Sequence, residues 1–266
     1  MKFFNRIIKL SLVSTFVLVT NANASTTTWG WDLTPGSGAC TSGCSSISAS
    51  DTVNGKTITA GISGYADTIG KGDADLESGK LHYYSGNGWG LVNKDEGASS
   101  FPGHAFDNEQ DTQYRDHDMA LVSFDTSVEL TAINFGWIYD DADFTVLAFS
   151  GTDIATTPRS TWSDVATSGD WVTVGNYDAN NTGYYSINQD KISSQYWLIG
   201  AYNSIFGATN NDLGHLDSNT DAFKIKGLKG VTSVTTPPEE VPAPAAFGLL
   251  LVGALGMYVR RNKQTT

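Results

Sequence analysis

Residues 119–149 read MALVSF DTS VELTAINFGWIY DDAD FTVLAF, and this stretch decides the fold. Its three apolar runs are Met119 to Phe124, Val128 to Tyr139 and Phe144 to Phe149. They are rich in β-branched and aromatic residues and are bounded by short clusters of Asp, Ser and Thr. That combination marks strands separated by turns.

The same signature recurs on both sides. Thr27 to Leu33 (TTWGWDL) and Thr57 to Ala66 (TITAGISGYA) alternate bulky with small or polar residues, as half-buried strands do. Leu81 to Tyr84 and Trp89 to Val92 are aromatic-rich runs joined by Ser85-Gly86-Asn87-Gly88, a hairpin signal. Trp171 to Tyr177, Tyr184 to Asn188, Tyr196 to Tyr202 and Phe223 to Leu228 extend the set. Pro35 to Ser50, made of Gly, Ser and Cys, reads as a loop. No sustained i, i+3, i+4 apolar pattern exists away from the two chain ends. The most helix expected is one turn over Asn188 to Ser194 or Ala208 to Leu213. With 28 glycines, turns at regular spacing and no repeat of fixed period, the pattern predicts one all-β domain over residues 25–230. Its expected architecture is an antiparallel β-sandwich or jelly roll.

Both ends carry sorting chemistry. Met1 to Ala24 has a positive start (Lys2, Arg6, Lys9), an apolar run from Leu10 to Val19, and Ala22-Asn23-Ala24. This is the pattern of a secretory signal peptide cut after Ala24. At the other end VTSVTTPPEE (231–240) reads as an extended linker. Then Val241-Pro242-Ala243-Pro244 leads into the apolar segment Ala245 to Val259 and the basic cluster Arg260-Arg261-Asn262-Lys263. An uncharged stretch of about fifteen residues is short of the roughly 20 that span a bilayer comfortably. The basic cluster after it belongs on the cytoplasmic side. A plain C-terminal anchor is the simpler alternative to a sorting signal.

Charge separates the ends from the body. Six of the sixteen basic residues and none of the 28 acids lie in residues 1–24 and 241–266, so the part between carries −18. A chain this acidic repels a phosphate backbone, which argues against nucleic acid as a partner. The two cysteines, Cys40 and Cys44, are expected to form a local disulfide in an exported chain.

The densest polar cluster runs from Gly103 to Asp118 and ends directly at MALVSF. Asp107, Asn108, Asp116 and Asp118 offer the hard oxygen ligands that Ca²⁺ takes. Asp141 and Asp143, in the loop before Phe144, would join them if the two loops met at one end of a sandwich. The competing reading is an acidic, solvated rim whose Asp residues serve turns. Asp73-x-Asp75-x-Glu77 lacks the Gly and Glu of a complete Ca²⁺ loop and reads as a turn. No His pair at metal spacing, G-x-S-x-G or S-x-x-K is present, so no catalytic residue is assigned. Trp89, Trp137 and Trp197, inside apolar runs, are expected in the core. Trp162 and Trp171, flanked by Ser, Asp and Gly, are the candidates for an exposed sugar-stacking face.

The tail order V-P-x-P, apolar segment and Arg-rich end resembles the PEP-CTERM sorting domain, with Ala243 where the commonest form has Glu. The resemblance extends into the body. PGHAFDN (102–108), DHDMALVSFD (116–125), INFGWIYDDADFTVLAFSG (133–151), YWLIGAYNSIFG (196–207) and DAFKIKGL (221–228) look like small exosortase-dependent surface proteins of Gram-negative bacteria. That resemblance implies an exosortase-like processing enzyme as partner, passage through the inner membrane, and delivery to the cell surface or extracellular biofilm matrix. It implies a non-catalytic structural or interaction role, with extracellular polysaccharide as a candidate partner. The only residues it carries over are Val241, Pro242, Ala243, Pro244, Arg260 and Arg261. A secreted carbohydrate-binding module held at the membrane, Ca²⁺-dependent or not, is the alternative.

Overall fold

The structure, a computed structural model, describes residues 24–68, 73–94, 104–108, 116–139, 141–152, 161–209 and 219–235, with 212, 214 and 216 singly. The chain divides into one unit of Thr26–Thr232 and a second made of Met1–Ser25 and Ser233–Thr266. Of the second unit only 24, 25 and 233–235 are described. Ala22 of the expected cleavage site and the tail residues Val241, Pro242, Ala243, Pro244, Arg260 and Arg261 lie outside the described residues. Ala24 opens the first strand. Among the described residues no helix is long and apolar enough to cross a membrane.

The described residues are all-β, in a single sheet of thirteen strands. In order these are β1 (Ala24–Asp32), β2 (Ser46–Val53), β3 (Lys56–Thr68), β4 (Asp73–Ser78), β5 (Lys80–Tyr84), β6 (Gly88–Val92) and β7 (Phe106–Asp107). The long β8 (Asp118–Tyr139) follows, then β9 (Ala142–Phe149), β10 (Trp171–Ala179), β11 (Gly183–Ser186), β12 (Ser194–Ala201) and β13 (Ala222–Thr235). The only described α-helix, α1, spans Trp162–Thr167.

β8 merges the two runs expected as separate strands, since Asp125-Thr126-Ser127 stays extended. Its first half pairs with β3 and β12, its second half with β13 and β11. One strand therefore feeds both parts of the sheet, and their side chains meet in a common core. Phe135 of the second half lies 4.9 Å from Phe144 of β9, and Trp31 of β1 lies 4.7 Å from Phe124 of the first half.

Met119 to Phe124 is apolar nearly throughout because both faces of the sheet are covered there. Ala120, Val122 and Phe124 enter the main core. Met119 and Leu121 face a second, smaller core with Leu147, Leu198, Trp162, Val165 and Phe206. α1 supplies two of these. Thr161 caps it by accepting from Asp164 N at 3.0 Å, which fixes the turn that lays Trp162 and Val165 inward. Trp162 is thus 2% exposed, with its Nε1 donating to His117 O, and it cannot serve as an exposed stacking face.

Several boundaries differ from the expectation. β2 occupies the end of the segment read as a loop. Its hairpin to β3 turns on Asn54 and Gly55, both at positive φ, as a two-residue loop of that twist requires. Asp73 to Glu77 is strand β4 rather than a turn. β13 runs to Thr235, so residues 231–235 of the expected linker are strand. Val231 pairs with Glu129, and the buried Trp29 Nε1 donates to Thr232 Oγ1 at 3.0 Å. Cys40 and Cys44 form the expected disulfide. Cys44 is buried and exchanges both backbone hydrogen bonds with Leu81, which ties this small loop to β5.

Candidate functional site

Two places gather chemistry. The first is the end of the sheet where β9 and β13 begin and β8, β10 and β12 finish. Asp143 on β9 pairs in register with Asp178 on β10, and Asp141 stands just before β9. Each of these three offers an oxygen, all within 4.8 Å of one another. Asp143 is fully buried.

A hydrogen-bonded core lies beside this triad. Asp221, just before β13, accepts from Asp143 N at 2.8 Å and from Asn108 Nδ2 at 2.7 Å. Its own N–H donates to Asn108 Oδ1 at 2.6 Å, and Asn108 Nδ2 also donates to Tyr202 O at 3.0 Å. Burial pushes the Asp221 carboxyl up to about 8, and the charges of Asp143 and Asp141 add to this against the hydrogen bonds it accepts. Burial raises the Tyr202 phenol as well, helped by Asp212, Asp143 and Asp221. Asp107 sits opposite Ala222 of β13, beside Asn108. The segment 104–108 can lie this close because residue 90 is glycine. A Cβ there would fall 1.9 Å from His104 O, and Leu91 N donates to Ala105 O at 3.2 Å.

The six residues expected to share an ion therefore divide. Asp141 and Asp143 join Asp178, which the sequence reading omitted. Asn108 adjoins them through Asp221, also omitted, and Asp107 beside it pairs with Ala222. Asp116 belongs elsewhere: its Oδ2 accepts from Asn93, and the neighbouring His117 N donates to Asp67 Oδ1 at 2.8 Å. Asp118 pairs with Ala66 of β3. Chemically, three mutually close carboxylates suit a hard divalent cation, of which Ca²⁺ accepts the most irregular geometry.

The second place is the outer face of β8, β11 and β13. A register shift makes it. Ile225 pairs with Phe135 and Lys224 with Trp137, so Gly136 is an extra residue on β8. Such a bulge reverses the alternation, and Trp137 turns outward where its apolar run had placed it in the core. Gly136 is required by close approach, since a Cβ would fall 2.2 Å from Asn87 O. Lys224 Nζ lies 3.9 Å from the Trp137 ring centre and 4.7 Å from that of Tyr84. Tyr139 stacks near Trp137 at 6.5 Å. On β11, Tyr184 pairs with Asn134 and carries Lys229 Nζ over its ring at 4.0 Å. Tyr139 and Tyr184 are 39% and 46% exposed. Trp171, the other expected surface ring, is half-buried with its edge against Phe149, while Trp89 and Trp197 are core as expected.

The chain is thus an all-β protein of one extended antiparallel sheet with an acidic end and an aromatic, lysine-bearing face. Compared with family models, with curated proteins and with solved structures, it matches none.

Proposed function

We propose that this chain is an exported protein of the Gram-negative cell surface or extracellular matrix, with a β-sandwich or jelly-roll body that acts by binding rather than by catalysis. The observation that carries this is the Cys40–Cys44 disulfide, closed within the body of a cysteine-poor chain. Disulfides of this kind persist in oxidising compartments, outside the cytoplasm. The 1–24 signal pattern supplies the way out. The Val241-Pro242-Ala243-Pro244 tail with Arg260 and Arg261 supplies the sorting signal for an exosortase-like enzyme at the inner membrane. The shared core of the two sheet parts supports the sandwich reading.

Protease added to intact cells tests this. It is expected to digest the wild-type protein and to leave a chain truncated before Val241 protected inside the envelope. Equal digestion of both would remove the sorting role of the tail.

A second reading, a Ca²⁺-dependent carbohydrate-binding module, is favoured by the Asp141, Asp143 and Asp178 oxygens. Repulsion among carboxylates that include a fully buried one is relieved by a cation. Ca²⁺ at about 100 times its dissociation constant would add about 2.7 kcal/mol. For a body of this length that is about 5–11 °C in melting temperature over the value in EDTA. Asp178→Asn is expected to remove most of that rise. An unchanged melting temperature in wild type would reject the ion.

A further inference from the structure

We propose that the outer face of β8, β11 and β13 is the binding site for an acidic polysaccharide, a polymer bearing one carboxylate on its repeating sugars. This rests on the reading of the body as a binding domain and names its ligand class.

Three features of the face point to that ligand. The first is charge. The described residues hold seven lysines, Lys56, Lys80, Lys94, Lys191, Lys224, Lys226 and Lys229, and the last three stand on one strand as KIKGLK, with Lys224 buried and Lys226 and Lys229 reaching the surface. In a chain of net charge −12 this is a local reversal of sign. Screening confines the reach of distant acids to about 8–10 Å at ordinary ionic strength, so the strip attracts anions by itself. Asp32, the acid that lies near Lys226, is directed to Thr34, whose N–H it accepts at 2.9 Å.

The second feature is ring presentation. Lys224 underpins Trp137 and Tyr84, and Lys229 lies over Tyr184, so both aromatic positions are held by cation–π contacts. An exposed ring fixed in this way offers a flat apolar surface to the C–H face of a sugar, with the Lys226 and Lys229 ammonium groups at its margin for carboxylates. Of the four large hydrophobic residues exposed among those described, Tyr139 and Tyr184 lie on this face.

The third feature is the floor between the rings. Ala132, Asn134 and Gly227 occupy it, paired across strands as Ala132 with Lys229 and Asn134 with Gly227. A Cβ on Gly227 would come within 3.2 Å of the Tyr184 hydroxyl. Tyr184 therefore reaches across β8 to the buried Gly227 and carries the ring surface from Trp137 toward Lys229. From Lys224 to Lys229 the strand advances about 17 Å, the length of an oligosaccharide rather than of one sugar.

Single-stranded nucleic acid would also stack on such rings. It is therefore the competing polyanion in the test.

The test is affinity electrophoresis and calorimetry on the full exported protein in EDTA, with alginate and polygalacturonate as probes, dextran as the neutral control and oligo-dT as the competing polyanion. Binding to the uronate polymers is expected, weakening with salt, with at least tenfold weaker binding to dextran and oligo-dT. Lys226→Ala combined with Lys229→Ala is expected to lower uronate affinity at least tenfold. Tyr184→Phe should retain binding, and Tyr184→Ala should lose it at an unchanged melting temperature. No binding to either uronate, equal binding to dextran, preference for oligo-dT, or variants that bind like wild type would each overturn the proposal. Surface delivery is read separately by protease on intact cells, so failure of the glycan site and failure of the export reading give different results.

Discussion

Trp31→Ala is expected to lower the stability of the body by about 3–5 kcal/mol, the range for emptying a fully buried aromatic site. At this chain length that is a fall of about 6–20 °C in melting temperature. The cost is high because Trp31 is fully buried and joins several strands at once. Its ring lies 4.7 Å from Phe124 of β8, and its Nε1 donates to Ile58 O of β3 at 3.0 Å. Its own carbonyl passes so close to β13 that a Cβ on Gly227 would stand 3.0 Å from it. Truncation leaves both a cavity and a buried carbonyl without its donor. Trp31→Phe separates these, keeping most of the apolar volume and losing the hydrogen bond, at about 1–3 kcal/mol. Urea denaturation of the three proteins measures it. A loss below about 1 kcal/mol for Trp31→Ala would mean that the two parts of the sheet do not share this core.

The second large effect is expected from Asp221→Ala, at about 2–4 kcal/mol in EDTA. Asp221 accepts from Asp143 N and from the Asn108 amide in a fully buried setting, and each donor left without that acceptor costs about 1–3 kcal/mol. With its carboxyl raised to about 8, the side chain is mostly uncharged at neutral pH, so little repulsion is relieved by removing it. Amide exchange at Asp143 and Asn108 would locate the loss at this end of the sheet. A variant as stable as wild type would show that the buried acid is dispensable to the β7–β13 junction.

What the sequence makes legible follows from period and composition. Runs such as TITAGISGYA and FTVLAF are strands because their β-branched and aromatic residues fit a pleated surface and nothing in them supports a helix. The hairpin at Ser85 to Gly88 is equally local, with Tyr84 opposite Gly88. What was not legible depends on register. Asp178 and Asp221 meet Asp143 only through strand pairing, which a single chain does not display. Trp137 reads as core until the one-residue bulge at Gly136 turns it outward. Trp162 reads as exposed because its neighbours are polar, and its helix, WSDVAT, is too short to show a period. The cap Thr161 with Asp164 three residues on was the local signal available for it.

The proposed function joins a binding body to a removable address. The mass of the mature protein recovered from the cell envelope tests that most directly. The account predicts a chain beginning at Ser25 and ending before the apolar segment Ala245 to Val259. A mass that still includes Thr266 would contradict it and make the tail a permanent anchor.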